Sequence, residues 1–174
     1  VTFDNAAPTL SSVSMASSNS INTVAVISDV VTLTFTASET IGTPTVTFLS
    51  GANAITDTSI TYTNTSGNTW TAAYTVNAGD RAGAVTFSIA FSDTVGNAGT
   101  AVTSGTGSVT FDNAAPTVSL SGPNGTVTDD FKVTATFSET VTGFALGDIT
   151  VTNGTTAALV STKAPIYTFT VTPI

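Results

Sequence analysis

A nine-residue stretch at the start of the chain decides the fold, because it occurs a second time. Val1-Thr2-Phe3-Asp4-Asn5-Ala6-Ala7-Pro8-Thr9 returns without change as residues 109–117, at an offset of 108 residues. A weaker echo places Ser38-Glu39-Thr40 and Ser138-Glu139-Thr140 just after an alternating run in each half. A period near 100 residues is too long for a solenoid unit but is the size of an independently folding domain. The repeat therefore predicts domains arranged in tandem.

The repeated stretch is predicted to be the junction between domains. Its Val-x-Phe is typical of the end of a strand, and the Ala-Ala-Pro that follows favours a short, stiff, extended linker, since proline fixes φ and lacks an N–H. We expect a whole domain at residues 6–112 and a second at 113–174, with residues 1–5 as the end of a preceding linker. Because the chain begins with Val1 and no leader sequence follows, we expect it to be a fragment of a longer polypeptide.

Strict alternation between apolar residues and threonine dominates the sequence. Val31, Leu33, Phe35 and Ala37 alternate with Thr32, Thr34 and Thr36, and similar runs recur with turn residues every 8–12 positions. No segment has a helical period with caps. The pattern predicts an all-β chain of tandem immunoglobulin-like β-sandwiches, the second incomplete at its C-terminus. The predicted core of the first domain is Trp70, Phe35, Phe87 and Phe91.

The second domain is expected to lack its last strands. Its strand pattern stops at Ile174, and by alignment with the first domain the final hairpin is missing. A sandwich without two strands exposes an apolar face and an open edge. Two sources of the missing strands remain open: the parent chain continues, or another chain supplies them.

Composition excludes many function classes. The chain has no His and no Cys, so His-dependent nucleophile systems, thiolate chemistry and ordinary zinc sites are excluded. The net charge of −8, with only three basic side chains, argues against a nucleic-acid surface. No apolar run is long enough to insert into a membrane. We expect no enzymatic activity, because the few aromatics fall on core positions rather than in a groove flanked by carboxylates.

The junction sequence resembles that of a known class of repeat. Together with Ala135-Thr-Phe-Ser-Glu-Thr-Val-Thr-Gly-Phe144, Asp148-Ile-Thr-Val-Thr-Asn-Gly154 and Asp93-Thr-Val-Gly-Asn97, it is similar to bacterial Ig-like repeats of large secreted surface proteins and biofilm adhesins. The resemblance covers essentially the whole chain. It implies an extracellular, cell-surface location and a spacer or adhesive role, often with calcium between domains.

The acidic residues fall at predicted loop ends, where a sandwich topology groups them. Since the N-terminus of an Ig domain lies beside its B–C and F–G loops, Asp4, Glu39 and Asp93 are expected together at one end of the first domain. Asp80 is expected at the opposite end, facing Asp112 and Glu139 of the next domain. Carboxylate oxygens are the ligands that calcium takes, so these six residues predict interdomain calcium; the alternative is that they only cap turns.

The preferred functional hypothesis is a structural and adhesive spacer repeat that gives reach and stiffness to a long surface protein. The alternative is a subunit of an extracellular filament or sheath, in which a neighbouring chain completes the second sandwich. Predicted partners are therefore neighbouring repeats or identical subunits, with any cell-surface or matrix ligand elsewhere in the parent protein. A carbohydrate-binding module is a weaker hypothesis, since only Tyr62 and Tyr167 could offer a platform and both alternate inward.

Overall fold

The computed structural model describes residues 3–174. Val1 and Thr2, which open the first copy of the repeated stretch and the predicted linker 1–5, lie outside the described residues. The all-β prediction is confirmed, and within the described part of the chain no helix is long and apolar enough to cross a membrane. The strands are β1 (Leu10–Ser17), β2 (Val24–Ala25), β3 (Val30–Ala37), β4 (Thr45–Ser50), β5 (Asn53–Ala54), β6 (Thr61–Ser66), β7 (Thr69–Thr75), β8 (Gly83–Ala90), β9 (Thr110–Phe111), β10 (Val118–Ser121), β11 (Phe131–Phe137), β12 (Gly154–Lys163) and β13 (Ile166–Pro173).

The chain forms two compact units. The first, unit 1, ends at Asn113, and the second, unit 2, runs from Ala114 to Ile174. Unit 1 is a sandwich of a four-stranded sheet, ordered β1-β3-β7-β6, and a five-stranded sheet, ordered β2-β9-β8-β4-β5. Unit 2 has one four-stranded sheet, ordered β10-β11-β13-β12, and a short 3-10 helix at Leu146–Asp148.

The core of unit 1 follows directly from the alternation in its strands. In β3, every second residue is buried, because successive side chains of a strand point to opposite faces. The apolar set of β3 packs against the inward residues of β4 and β8, and the rings of Phe48 and Tyr74 meet at 4.8 Å between centroids. Of the predicted core residues, Phe35, Phe87 and Phe91 are buried, whereas Trp70 is only half-buried at the margin.

Tyr74 carries a hydroxyl that the core does not satisfy. Its side chain is 2 % exposed, and its oxygen has no hydrogen-bond partner among the residues that the structure describes. Burial, and secondarily the negative charge of Asp80, raise the pKa of Tyr74 well above its usual value. The hydroxyl thus stays protonated and unpaired, which makes it a cost to folding.

We expect Tyr74→Phe to stabilise unit 1 by about 1–2 kcal/mol, because it removes a buried polar group that lacks a partner. The measurement is the free energy of unfolding by urea titration. Tyr62→Phe is the matched control, since the Tyr62 hydroxyl accepts from Val46 N at 2.9 Å and donates to Val46 O at 3.4 Å. That control should lose about 1 kcal/mol, and destabilisation by both variants would contradict the expected role of Tyr74.

The first and last segments of unit 1 run parallel and are bonded to each other. Thr106 forms a parallel bridge with Ser14 of β1, in which Met15 N donates to Thr106 O at 3.0 Å and Thr106 N donates to Val13 O at 2.8 Å. Nearby, β9 pairs in parallel with β2. Residues 105–111 therefore pair with β1 and β2, the first two strands of unit 1, and complete the sandwich. We call residues 105–111 the closing segment.

Unit 2 repeats the local structure of the first sheet of unit 1. Thr9 N donates to Ser38 Oγ at 3.0 Å and Ser38 N donates to Thr9 O at 2.9 Å; the pair Thr117 and Ser138 makes the same two bonds at 2.9 and 2.8 Å. The sheet orders correspond strand for strand. The sequence repeat is thus a structural repeat, and residues 109–117 end one unit and begin the other.

Cross-strand pairs show how two different sequences fill equivalent sheets. In unit 1, Val31 pairs with Tyr74, and at the equivalent position of unit 2 Phe131 pairs with Val171. The large and small residues have exchanged strands, which conserves the volume of the pair. The pairing of β11 with β13 therefore has the same register as the pairing of β3 with β7, although most of the side chains differ.

Candidate functional site

The densest group of candidate ligands lies at one end of unit 1. One carboxylate oxygen each of Asp4, Glu39 and Asp93 lies within 4.8 Å of the others. Asp4 precedes β1, Glu39 follows β3, and Asp93 follows β8, so three separate chain segments deliver them. Asp4 is exposed, Glu39 half-buried and Asp93 buried.

Asp93 organises the turn that follows β8. Its Oδ1 accepts from the backbone N–H groups of Val95, Gly96 and Asn97 at 2.7–2.9 Å, and its Oδ2 accepts from Asn97 Nδ2 at 2.7 Å. Burial acts to raise the pKa of Asp93, but these hydrogen bonds outweigh burial and hold the pKa below its usual value. Asp93 is therefore ionised at neutral pH and fixed in position.

The entering chain is tied to the same turn. Asn97 Nδ2 also donates to Asp4 O at 3.3 Å, and Asp4 Oδ1 accepts from Ala6 N at 3.0 Å. Asn97 therefore connects the turn after β8 to the stretch that leads into β1. This link holds Asp4 close to Asp93.

The spacing of the three carboxylates suits a calcium ion. Calcium binds oxygen at about 2.3–2.6 Å, so two of its ligands lie at most about 5 Å apart. The carboxylate oxygens of Asp4, Glu39 and Asp93 meet this limit. Asp93 already has a structural role in its turn, whereas Glu39 does not cap the turn after β8. That a metal binds here stays a prediction.

Asp80 serves the internal structure of unit 1. It is 4 % exposed; its Oδ1 accepts from Thr56 N at 2.7 Å and from Thr56 Oγ1 at 2.8 Å, and its Oδ2 accepts from Asn77 N at 3.0 Å. Both oxygens thus hold the loop after β5 against the turn before β8. The geometry gives Asp80 a complete structural role, and its assignment as a calcium ligand remains an untested prediction.

The two other predicted ligands lie in different units. Asp112, in unit 1, is half-buried directly after β9, and its N–H donates to Ala25 O at 2.9 Å. Glu139, in unit 2, is half-buried in the turn after β11. The predicted interdomain site that combines them with Asp80 stays a prediction.

Asp57 lies in the loop that Asp80 secures. Its carboxylate accepts from Thr75 N and Ser59 N at 2.8 Å each, and these hydrogen bonds, which outweigh slight burial, lower its pKa. Since the folded-state pKa lies below the unfolded-state value of about 4, Asp57 contributes stability above that pH. This contribution is lost as the pH falls through the folded-state pKa.

We therefore expect the stability of the chain to fall as the pH drops below about 4, and Asp57→Asn to make this fall shallower. The measurement is the urea midpoint as a function of pH, from pH 7 to pH 2. Curves of the variant and the parent chain that stay parallel over this range would contradict the role given to Asp57.

Two features of unit 1 and unit 2 were not predicted from the sequence. The parallel pairing of Thr106 with β1 was not predicted, although Gly105 and Gly107 on either side of Thr106 are a signal of close backbone approach. The anchoring of Tyr167 was also missed: its hydroxyl donates to Val141 O at 3.2 Å. Tyr62 and Tyr167 are both half-buried, so neither is an open platform for a sugar.

Comparison with known proteins gives one family match. Residues 112–174 match the model of the bacterial Ig-like domain family. No curated protein matches the chain. Among solved structures, the chain is similar to a tandem pair of titin Ig domains, with 14 % identity over 96 % of this chain and 81 % of that one, at a TM-score of 0.33. It is also similar to the titin domains z1z2 crystallised with telethonin, with 12 % identity over 99 % and 84 % of the two chains, at a TM-score of 0.34.

Proposed function

We propose that this chain is a structural spacer segment of a long extracellular surface protein. The proposal starts from the match of residues 112–174 to the bacterial Ig-like domain family. The repeats of the surface protein give reach and resist stretching, and adhesive contacts lie elsewhere in the parent protein. The duplicated junction supports this proposal, because the same stretch closes one unit and opens the other. The chain has no catalytic role in this proposal.

One observation carries the mechanical part of the proposal: β1 is bonded in parallel to the closing segment around Thr106. When the two ends of unit 1 are pulled apart, parallel strands must slide past each other, so their hydrogen bonds are loaded together rather than opened one by one. The bonds joining Thr106 to Val13 and Met15, and the pairing of β9 with β2, lie across this line of force. This arrangement suits a spacer under tension.

The proposal is tested by stretching the whole chain from its two ends in a single-molecule force experiment. We expect a distinct force peak followed by an extension of about 35 nm, since unit 1 releases roughly 3.5 Å for each residue from Pro8 to Phe111. Thr106→Pro, which removes the N–H donated to Val13 O, should lower the unfolding force. Extension without a force peak would refute the proposal.

Thr65→Pro is the matched control for that experiment. Thr65 lies at the bulge of the edge strand β6, in the same unit but away from the parallel pairing. Edge strands tolerate proline, and the bonds between β1 and the closing segment remain. We expect Thr65→Pro to keep the unfolding force of the parent chain, and an equal loss of force in both variants would contradict the assigned line of force.

Surface chemistry supports an extracellular location in this proposal. Threonine and serine account for 39 and 19 of the 174 residues, and charged residues for only 8 %. Threonine favours strands and hydrates the outer faces of the sheets without long, flexible side chains. The absence of cysteine leaves the fold independent of the redox state of its surroundings.

A second candidate, a filament or sheath subunit, is favoured by one observation. The sheet of unit 2 exposes apolar residues on one face, with Val118 52 % and Leu120 66 % exposed. Pairing with a segment from a neighbouring molecule would cover them. Assembly of the purified chain into ordered filaments would support this candidate, and a monomer at all concentrations would exclude it.

Calcium binding at Asp4, Glu39 and Asp93 belongs to the same proposal. Three carboxylates of like charge repel one another, and an ion would neutralise them and fix the entering chain to the turns after β3 and β8. We expect calcium at ten times its dissociation constant to stabilise unit 1 by about 1.4 kcal/mol relative to chelator, measured as a rise in Tm. Unchanged Tm would refute the site.

Glu39→Gln provides the matched test of that stabilisation. It removes one charge of the cluster without touching the hydrogen bonds of Asp93, so it should abolish the rise in Tm. Asp129→Asn, an exposed acidic residue of unit 2, is the control and should keep the full rise. Equal responses of the two variants to calcium would place the ion elsewhere.

A further inference from the structure

Unit 2 contains the same tripeptide twice, in two different backbone settings. Asn124-Gly125-Thr126 lies between β10 and β11, and Asn153-Gly154-Thr155 leads into β12. We call residues 122–130, which join β10 to β11, the β10–β11 loop. Because the reacting residues of the two copies are identical, a difference in reactivity that disappears on unfolding comes from the fold.

An asparagine that is followed by glycine can modify itself. The backbone nitrogen of the glycine, once it has lost its proton, attacks Cγ of the asparagine side chain; the N–Cγ bond forms, the Cγ–Nδ2 bond breaks and ammonia leaves. Water then opens the resulting succinimide ring and yields aspartate or isoaspartate, with one added negative charge. Glycine favours the attack, since it has no Cβ to shield its nitrogen. The reaction consumes water and needs no enzyme and no oxidant.

The attack needs a backbone that can bring the two reacting atoms together. The glycine nitrogen has to approach the side-chain Cγ to about 3–3.5 Å, so the peptide unit between the two residues has to rotate. A residue outside any strand makes this rotation with little loss of hydrogen bonding. A residue fixed at the start of a strand first has to open that strand locally.

The β10–β11 loop leaves the first copy free to rotate. Asn124 is exposed, and neither its side chain nor the N–H of Gly125 has a hydrogen-bond partner among residues 3–174. Gly125 has a φ of +96°, and a Cβ at this position would meet no atom within 4 Å. The reactive nitrogen is therefore unpaired, and its glycine is surrounded by open space.

The second copy is held by the sheet. Asn153 has a φ of +60°, and its carbonyl oxygen accepts from Ile174 N at 3.1 Å. Gly154 is paired with Pro173 in the ladder of β12 and β13, and a Cβ at residue 154 would lie 2.9 Å from Thr172 O. Rotation of the peptide unit between Asn153 and Gly154 would break these contacts.

The structure assigns Asn124 as a site of spontaneous deamidation and Asn153 as its protected counterpart. The product is aspartate or isoaspartate at residue 124, which adds a third carboxylate to a loop that already carries Asp129 and Asp130. Because the β10–β11 loop lies outside the sheet, unit 2 keeps its strand pairing while its charge becomes more negative with age. The inference is independent of the spacer function.

The experiment incubates the complete chain at neutral pH, folded and in urea, and follows both copies by peptide mass spectrometry. Trypsin cleaves after Arg81, Lys132 and Lys163, the three basic residues, and so places the two copies in separate peptides, 82–132 and 133–163. In the folded chain we expect Asn124 to react about tenfold or more faster than Asn153, and in urea the two rates should be similar. Equal rates in the folded chain, or no reaction at residue 124, would overturn the assignment.

Asn124→Gln and Asn153→Gln form the matched pair of variants, because glutamine would have to close a larger ring and reacts far more slowly. Deamidation of the parent chain produces a more acidic form that separates on ion exchange. Asn124→Gln should abolish this form and Asn153→Gln should retain it. An acidic form that persists in Asn124→Gln would place the modification at another residue and overturn the proposal. The force peak of unit 1 does not depend on these outcomes, so failure here leaves the spacer function standing.

Discussion

Replacing Phe111 with alanine is expected to destabilise unit 1 by about 3–5 kcal/mol, the loss usual for a fully buried phenylalanine. Phe111 is 1 % exposed and closes the core from strand β9. Its removal leaves a cavity between the two sheets, which the neighbouring side chains can fill only in part. The measurement is the free energy of unfolding from urea titration monitored by the fluorescence of Trp70.

Phe3→Ala is an unusually close control, because Phe3 and Phe111 occupy the same position of identical nine-residue stretches. Phe3 is 86 % exposed, so its replacement should change the free energy of unfolding by less than about 0.5 kcal/mol. The contrast tests the tandem arrangement. In that arrangement, the phenylalanine of the repeated nine-residue stretch belongs to the end of one unit, and the threonine that ends the stretch belongs to the start of the next. Similar losses in both variants would show that Phe3 and Phe111 serve one shared core.

The fold could be predicted from the sequence because its alternation is strong. In β3, apolar residues and threonines alternate without exception from Val31 to Ala37, and a strand in a sandwich buries one face only. The nine-residue repeat then gave the period of the domains. Neither signal depends on contacts between residues far apart in the chain, which is why the sequence alone was sufficient.

The candidate site could be predicted only in part. Topology alone was enough to group Asp4, Glu39 and Asp93, since the loops that hold them lie at one end of a sandwich. The hydrogen bonds of Asp80 were beyond reach, because they depend on the packing of the loop after β5 against the turn before β8. The burial of the Tyr74 hydroxyl could not be predicted either, because it depends on how the ring packs in the core.

The parallel pairing of the closing segment with β1 could not be predicted from the sequence pattern either. Thr106 stands in a stretch of small and polar residues with little alternation, so no periodic signal marks a strand. The pairing is specified instead by how closely two backbones can approach. Glycine at residues 105 and 107 permits that approach, and this makes the glycines themselves testable.

Gly107→Ala is expected to destabilise unit 1 by about 3–4 kcal/mol. The residue has a φ of +74°, in the left-handed region that costs a residue with a Cβ about 1–2 kcal/mol. A Cβ at this position would also overlap the carbonyl oxygen of Met15 and lie 3.3 Å from its carbonyl carbon, and such overpacking costs about 1–3 kcal/mol more. Backbone atoms of β1 cannot yield without breaking the bond from Met15 N to Thr106 O.

Gly67→Ala separates the two contributions to that loss. Gly67 has a φ of +53° in the turn between β6 and β7, and a Cβ there would meet nothing within 4 Å. Only the conformational cost applies, so Gly67→Ala should lose about 1 kcal/mol in the free energy of unfolding and keep the unfolding force of the chain. Gly107→Ala should lower both the free energy of unfolding and the unfolding force, because the added Cβ pushes the closing segment away from β1. Equal losses in the two variants would mean that residues 105–107 do not press on β1, and the force-bearing role of that pairing would fall with it.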